Sequence, residues 1–205
     1  MAGLNRGSSV LEPGQKWNAN STDYILLGMA IEIATNRRLG DLYSTRIFKP
    51  LGMNATSYLA ESPKAGAVVD GYYTSKKLGQ NNVTGWNLSQ GGAAGGIVST
   101  AVDVAKYVEA LATGELFEKA ATLQEMLDFE ALGDAVLKGY GLGIAEFNTA
   151  GFESWGHDGK TPGFQSVWFY VPDAKTTVVF LTNSGTCQAG LLPLLAPATL
   201  FTPVQ

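Results

Sequence analysis

Gly156-His157-Asp158-Gly159-Lys160-Thr161-Pro162-Gly163-Phe164 is the stretch from which the fold of this chain is read. Glycines at 156, 159 and 163 let backbone approach backbone or ligand where a Cβ would collide, and they bracket the one histidine in 205 residues. Downstream, Gln165 to Val171 and Thr176 to Thr182 are β-branched and aromatic runs joined by Pro172-Asp173-Ala174-Lys175, the composition of a hairpin and its turn. His157 is therefore expected at the mouth of a sheet, in a candidate site. The plainer reading is a polar residue on a turn between strands.

Working outward, strand periodicity begins near Tyr140 and continues through Thr182. Before it the chain is mostly helical. A helix is predicted from about Asp23, capped by Ser21 or Thr22, with Tyr24, Leu27, Gly28 and Ile31 on one core-facing side and Asn36 at the left-handed stop. A second runs from Leu39 to Phe48 and ends before Pro50. Ser99 to Asp103 reads as a capping box opening a helix over Ala101 to Ala112, which Gly114 ends, and Glu115 to Phe129 reads as a further helix. Between 54 and 95 no long period appears: Val68 to Tyr73 is a candidate short strand, Gly79 to Gln90 an excursion, and Gly91 to Gly96 a close-packing loop. Leu11 to Gly14 reads as a turn, and residues 1–12 as a flexible or cloning-derived leader to a single domain. Helices first and consecutive strands last predict an α+β fold with an antiparallel sheet.

Composition narrows the function classes. A net charge of −4 with fourteen scattered Lys and Arg argues against nucleic acid as a partner. Cys187, the single cysteine, excludes an intrachain disulfide and a cysteine zinc site, and no metal or cofactor is expected. No stretch approaches the roughly 18 apolar residues of a membrane span. The glycine run 91–96 lacks the Gly-Lys-Ser/Thr of a phosphate loop. The four tryptophans, 17, 86, 155 and 168, are expected in core or pocket wall. Compartment is left open.

Six ordered blocks carry a resemblance: Pro13-Gly14 with Trp17 and Tyr24 to Gly28; Ile47 to Met53 through Pro50; Ala94 to Thr100 with Asp103; Tyr140-Gly-Leu-Gly143; Gly156 to Gly159; and Pro162-Gly-Phe164. Together they resemble the serine β-lactamase, DD-peptidase and esterase superfamily, in its class C-like, penicillin-binding-protein-like branch. The resemblance implies a β-lactamase/transpeptidase-like fold, an antiparallel sheet flanked by helices beside a helical lobe, with the N-terminal part of the fold missing from this chain. It also implies acyl transfer through a serine one helical turn before a lysine, so that the amine can take the hydroxyl proton.

That Ser-x-x-Lys is absent: no serine from Ser8 to Ser184 has lysine three positions on. The family's Tyr-x-Asn element, which follows the aromatic matched by Trp17, is altered too. An ungapped match puts Ala19, Asn20 and Ser21 there, while a shift by one gives Asn18-Ala19-Asn20, and neither supplies the tyrosine. Ala19 is thus the degenerate tyrosine position, with Asn18 as the alternative, and Asn20 is the implied substrate-binding asparagine. His157-Asp158-Gly159 matches the Lys-Thr-Gly or His-x-Gly element, which implies His157 as the catalytic residue, acting electrostatically, and Asp158 and Gly159 on the strand edge that holds the acyl group.

The expectation is a C-terminal portion of a β-lactamase-related serine hydrolase, acting in its parent on a β-lactam, ester or D-amino-acid peptide and inactive alone. The alternative is a noncatalytic binding or interaction module on the same scaffold. A Ser/His hydrolase using Ser154 is disfavoured, since Ser154 lies three residues before His157 in one strand and points to the opposite face. Apolar side chains such as Val167, Phe169, Val179 and Leu181, whichever alternate set lacks cover, are expected to drive homo-oligomerisation or capture of a complementary N-terminal segment.

Overall fold

The computed structural model describes residues 15, 17–58, 68–75, 77, 79–86, 91–149 and 152–187. The leader at 1–12 and the turn at 11–14 lie outside them. The first helix, α1 (Ser21–Thr35), begins two residues earlier than its periodicity suggests. Asn20 caps it, not Ser21 or Thr22: the Asn20 side-chain oxygen accepts the Thr22 N–H at 2.9 Å. Asn36, at φ 50°, ends it in the left-handed conformation as expected. Gly28 is the one buried residue of α1, and the half-buried Ile25, Ile31 and Thr35 lie on the same face, so Gly28 and Ile31 face the core as expected; Tyr24 and Leu27, expected beside them, are exposed, as are Leu26, Met29 and Ile33.

Helix α2 (Leu39–Tyr43) passes directly into a π-helical turn, Ser44–Phe48, so the helical run 39–48 is continuous. The turn's wide spacing carries into the Lys49 N–H, which donates to Ser44 O at 3.0 Å, and Pro50 follows where further helix is blocked. The glycine run expected as a loop contains one helical turn, α3 (Gly92–Gly95). It forms because Gly28 leaves room for it: a Cβ there would lie 2.5 Å from Ala93 Cβ.

Among the described residues of the irregular region there are three short strands. β1 (Ser57–Tyr58) pairs antiparallel with β4 (Ile97–Val98), and β2 (Tyr72–Ser75) pairs with β3 (Gly79–Asn82) around Gly79 at φ +67°. The strand expected at 68–73 thus starts at Tyr72, and the excursion expected from Gly79 opens as its hairpin partner. This hairpin docks on the later chain: Tyr72 N–H donates to Asn183 O at 2.9 Å, and Gly185 N–H to Tyr72 O at 2.8 Å.

Helix α4 (Ala101–Ala112) has the predicted bounds, with the Thr100 hydroxyl accepting the Asp103 N–H at 3.3 Å and Gly114 at φ +77° behind its end. The next helix is far shorter than 115–129. α5 covers Ala120–Met126, because Lys119 is extended and Leu116 and Phe117 turn into the core instead of propagating a helix.

The main sheet is a six-stranded antiparallel meander in the order β10-β9-β8-β7-β6-β5. Its strands are β5 (Glu130–Ala131), β6 (Leu137–Tyr140), β7 (Ala145–Thr149), β8 (Phe152–Thr161), β9 (Phe164–Val171) and β10 (Thr176–Thr182). The β9–β10 hairpin turns where expected, with Lys175 at φ 47° donating its N–H to Pro172 O at 3.0 Å. On one face Leu111, Ile144 and Trp155 form a core with Tyr107, Trp168 and Tyr170. On the other, Val167, Phe169 and Val171 are wholly buried. The expected exposure of Val167 and Phe169 is therefore incorrect, since alternate residues of β9 point into that second cluster. Leu181 is exposed, together with Phe180 beside it.

Candidate functional site

β8 carries His157 because its sequence is built for close strand contact. A Cβ on Gly156 would collide with the Trp168 carbonyl oxygen of β9, and one on Gly159 would lie 2.6 Å from Ser166 Oγ. β9 pairs with β8 along Trp155 to Thr161, but β7 pairs with it only from Phe152 to Gly156. On the β7 side, the backbone from His157 to Thr161 thus has no ladder partner among the described strands. That open edge holds the three residues singled out in the sequence: His157 is half-buried, Asp158 exposed and Gly159 half-buried.

Tyr140, at the end of β6, fills the space beside His157. Its hydroxyl lies 2.8 Å from His157 Nε2, and the two rings meet edge to face with centroids 5.7 Å apart. His157 Nδ1 faces the Asp158 carbonyl. Tyr140 also stands 3.2 Å, hydroxyl to hydroxyl, from Tyr24 of α1, and its ring packs on Trp17 at 5.1 Å. Burial, together with the hydrogen bond and charge of Tyr24 and the charge of Asp158, pushes the Tyr140 phenol well above the ordinary tyrosine range. Tyr140 is therefore a neutral hydroxyl at physiological pH, a donor and not an anion.

The start of α1 thus reaches the histidine strand through Trp17 and Tyr24. Asn18 and Ala19 lie exposed between Trp17 and the helix cap. Asn20 is exposed as well, and its side chain is engaged locally, accepting from Thr22 N–H and donating to Asp23 Oδ1 at 3.3 Å. Ser154 is buried on β8, three positions before His157 and so on the other face. Sequence reasoning did not single out Tyr24 or Tyr140 as site residues. Both stand in the blocks that carry the family resemblance, but their convergence, 116 residues apart, is a tertiary fact.

Trp155 and Trp168 are core residues that meet edge to face, whereas Trp86 is exposed. Asp103, expected to act only at the cap of α4, also accepts hydrogen bonds from Ala55 N–H at 2.8 Å and Thr56 Oγ1 at 3.0 Å. It fastens α4 to the turn before β1. Among the described residues no three His, Cys, Asp or Glu side chains are grouped to hold a metal ion, and no helix is long and apolar enough to cross a membrane.

A family model described as Beta-lactamase matches residues 3–190. The chain is 26% identical over 187 residues to a D-aminopeptidase of Cereibacter sphaeroides, covering 91% of this chain and 36% of that protein. It is 27% identical over 195 residues to penicillin-binding protein 4* of Bacillus subtilis, covering 88% of this chain and 43% of the relative. Among solved structures, it superposes on a D-stereospecific amidohydrolase from Streptomyces sp. with a TM-score of 0.83 and 28% identity, covering 95% of this chain and 57% of that one. The D-amino acid amidase from Ochrobactrum anthropi SV3, complexed with D-phenylalanine, matches with a TM-score of 0.79 and 27% identity, covering 90% and 56%. The chain therefore spans between a third and a half of the length of these curated relatives.

Proposed function

The chain belongs to the beta-lactamase family, and from that premise we propose that it forms the histidine-bearing part of an acyl-transfer site whose serine and lysine come from a segment outside these 205 residues. One observation carries the proposal. The backbone edge from His157 to Thr161 has no ladder partner, among the described strands, on the side facing away from β9, in a chain with no serine followed three positions on by lysine. An open strand edge binds an extended acyl or peptide group through main-chain hydrogen bonds, and Gly159 keeps that approach free of a side chain. His157 then assists electrostatically where charge develops on the substrate, with Asp158 at the rim. Asn20 reaches substrate only by leaving its cap partners, an exchange that its exposure permits.

The substrate of the completed site is a β-lactam, an ester or a D-amino-acid amide or peptide. The relatives named as D-aminopeptidase and D-amino acid amidase favour the last of these. The second reading, a noncatalytic binding module, is favoured by Ala19, since a methyl group in the tyrosine position cannot move a proton. These residues alone form no acyl-enzyme. Treatment with a fluorophosphonate or a penicillin leaves the intact mass unchanged; a covalent adduct of the expected mass contradicts the proposal.

A further inference from the structure

The hydrogen bonds around His157 have a direction. A carbonyl oxygen only accepts, so the contact between Nδ1 and the Asp158 carbonyl places the ring proton on Nδ1. In the neutral ring Nε2 is then an acceptor, and the hydroxyl 2.8 Å away on Tyr140 must be its donor. With its proton so committed, Tyr140 Oη accepts from the Tyr24 hydroxyl at 3.2 Å. Three side chains from α1, β6 and β8 thus line up as Tyr24 O–H to Tyr140 O–H to His157 Nε2, with Nδ1–H resting on the backbone. Tyr24 is 37% exposed, so the outer end of the line reaches the surface while its inner end is partly enclosed.

We propose that Tyr140 and Tyr24 are positioning residues that hold His157 in the Nδ1–H tautomer and connect its Nε2 lone pair to the surface through two hydroxyls. The proton balance closes. A proton arriving at Tyr24 Oη releases the Tyr24 proton to Tyr140 Oη, and Tyr140 passes its own to Nε2, leaving two neutral phenols and one imidazolium. Only the identity of the outer donor, a serine hydroxyl, rests on the acyl-transfer reading; the tautomer does not.

Because the chain has one histidine, its two imidazole nitrogens are observed without assignment ambiguity. The test is a long-range proton–nitrogen spectrum of the ¹⁵N-labelled chain in buffer alkaline enough to keep the imidazole neutral. The expected wild-type result is protonated Nδ1 and unprotonated Nε2, in an excess of roughly two- to tenfold, the ratio that one ordinary net hydrogen bond supports. Tyr140→Phe removes the donor, so the Nε2–H form becomes populated. Tyr24→Phe leaves the tautomer in place and moves the Nε2 resonance toward that of a less strongly hydrogen-bonded acceptor. A wild-type ring protonated at Nε2 overturns the proposal, as does a folded Tyr140→Phe chain with the wild-type tautomer. Should Tyr140→Phe not fold, the wild-type tautomer and the Tyr24→Phe shift decide. The expected tautomer together with a chain that takes up fluorophosphonate by itself keeps the relay and removes the split-site reading. An Nε2–H ring in a chain that takes up no fluorophosphonate does the reverse.

Discussion

The carboxylate of Asp103 accepts the backbone N–H of Ala55 at 2.8 Å across 48 residues of sequence, with Asp103 only 4% exposed. Lys106 completes the junction, donating to Asp103 Oδ1 at 3.0 Å and to the Gly52 carbonyl at 2.6 Å. Asp103→Ala removes the acceptor of the part-buried Ala55 N–H bond and one of the partners of the Thr56 hydroxyl, and the expected loss is about 1–2 kcal/mol in urea unfolding at neutral pH.

The same junction sets a pH dependence. Burial alone would raise the Asp103 carboxyl, but the hydrogen bonds from Lys106, Ala55 and Thr56 and the Lys106 charge hold it below its ordinary 3.8. The folded state therefore binds the proton more weakly than the unfolded chain. Its contribution is fully present above pH 3.8 and is lost as pH falls through the folded value. Thermal melts of wild type and Asp103→Asn, compared from pH 6 to roughly pH 2.5, are expected to converge on the acid side; a gap that widens there contradicts this account.

Gly156 is the tightest point of the β8–β9 contact, where a Cβ meets the Trp168 carbonyl and, at 2.7 Å, the Phe169 Cα. Both obstacles are backbone and cannot swing aside. Gly156→Ala is expected to destabilise the chain by roughly 2–3 kcal/mol through strand separation beside His157. Denaturant midpoints check the magnitude, and the His157 imidazole resonances check whether the neighbouring side chain is displaced.

Helix α1 carries Leu26, Leu27, Met29 and Ile33 in the open, with Ile33 81% exposed, and β10 ends the sheet with Phe180 and Leu181 exposed on opposite faces. Apolar patches and unpaired strand edges of this kind associate. Light scattering is expected to show self-association or a copurifying partner, with binding of a hydrophobic dye. Leu27→Glu with Ile33→Lys is expected to reduce both while leaving the far-ultraviolet circular dichroism unchanged. A clean wild-type monomer without dye binding argues for a self-sufficient module.

Where local chemistry decided structure, the sequence was legible. Thr100 and Gly114 bound α4, Asn36 stops α1, and Pro172 to Lys175 makes the hairpin turn, all from short-range rules. Failures fell where tertiary packing overrode pattern. Leu116 and Phe117 leave the helical path to enter the core, Gly92 to Gly95 coil because Gly28 admits them, and Leu27 of α1 is exposed because the packed side of that helix is centred on Ile25, Gly28 and Ile31. The site divides the same way. His157, Asp158 and Gly159 lie in one legible stretch on an open edge, whereas Tyr24 and Tyr140 join them only through the fold. Trp17, expected in core or pocket wall, is exposed, and its contact with the Tyr140 ring is likewise a tertiary fact.

The central claim is that His157 belongs to an acyl-transfer site completed by a segment from outside these residues. It is tested most directly by coexpressing the chain, as Ala19→Tyr and as Asn18→Tyr, with the serine- and lysine-bearing N-terminal segment of a family relative. The measurement is turnover of a p-nitrophenyl ester, nitrocefin and D-phenylalanine amide by the purified complex. The account predicts turnover in one tyrosine variant, abolished when the supplied serine is replaced and reduced roughly 10²- to 10³-fold by His157→Ala. A stable complex with the serine correctly placed, whose turnover is the same with and without the imidazole of His157, contradicts it.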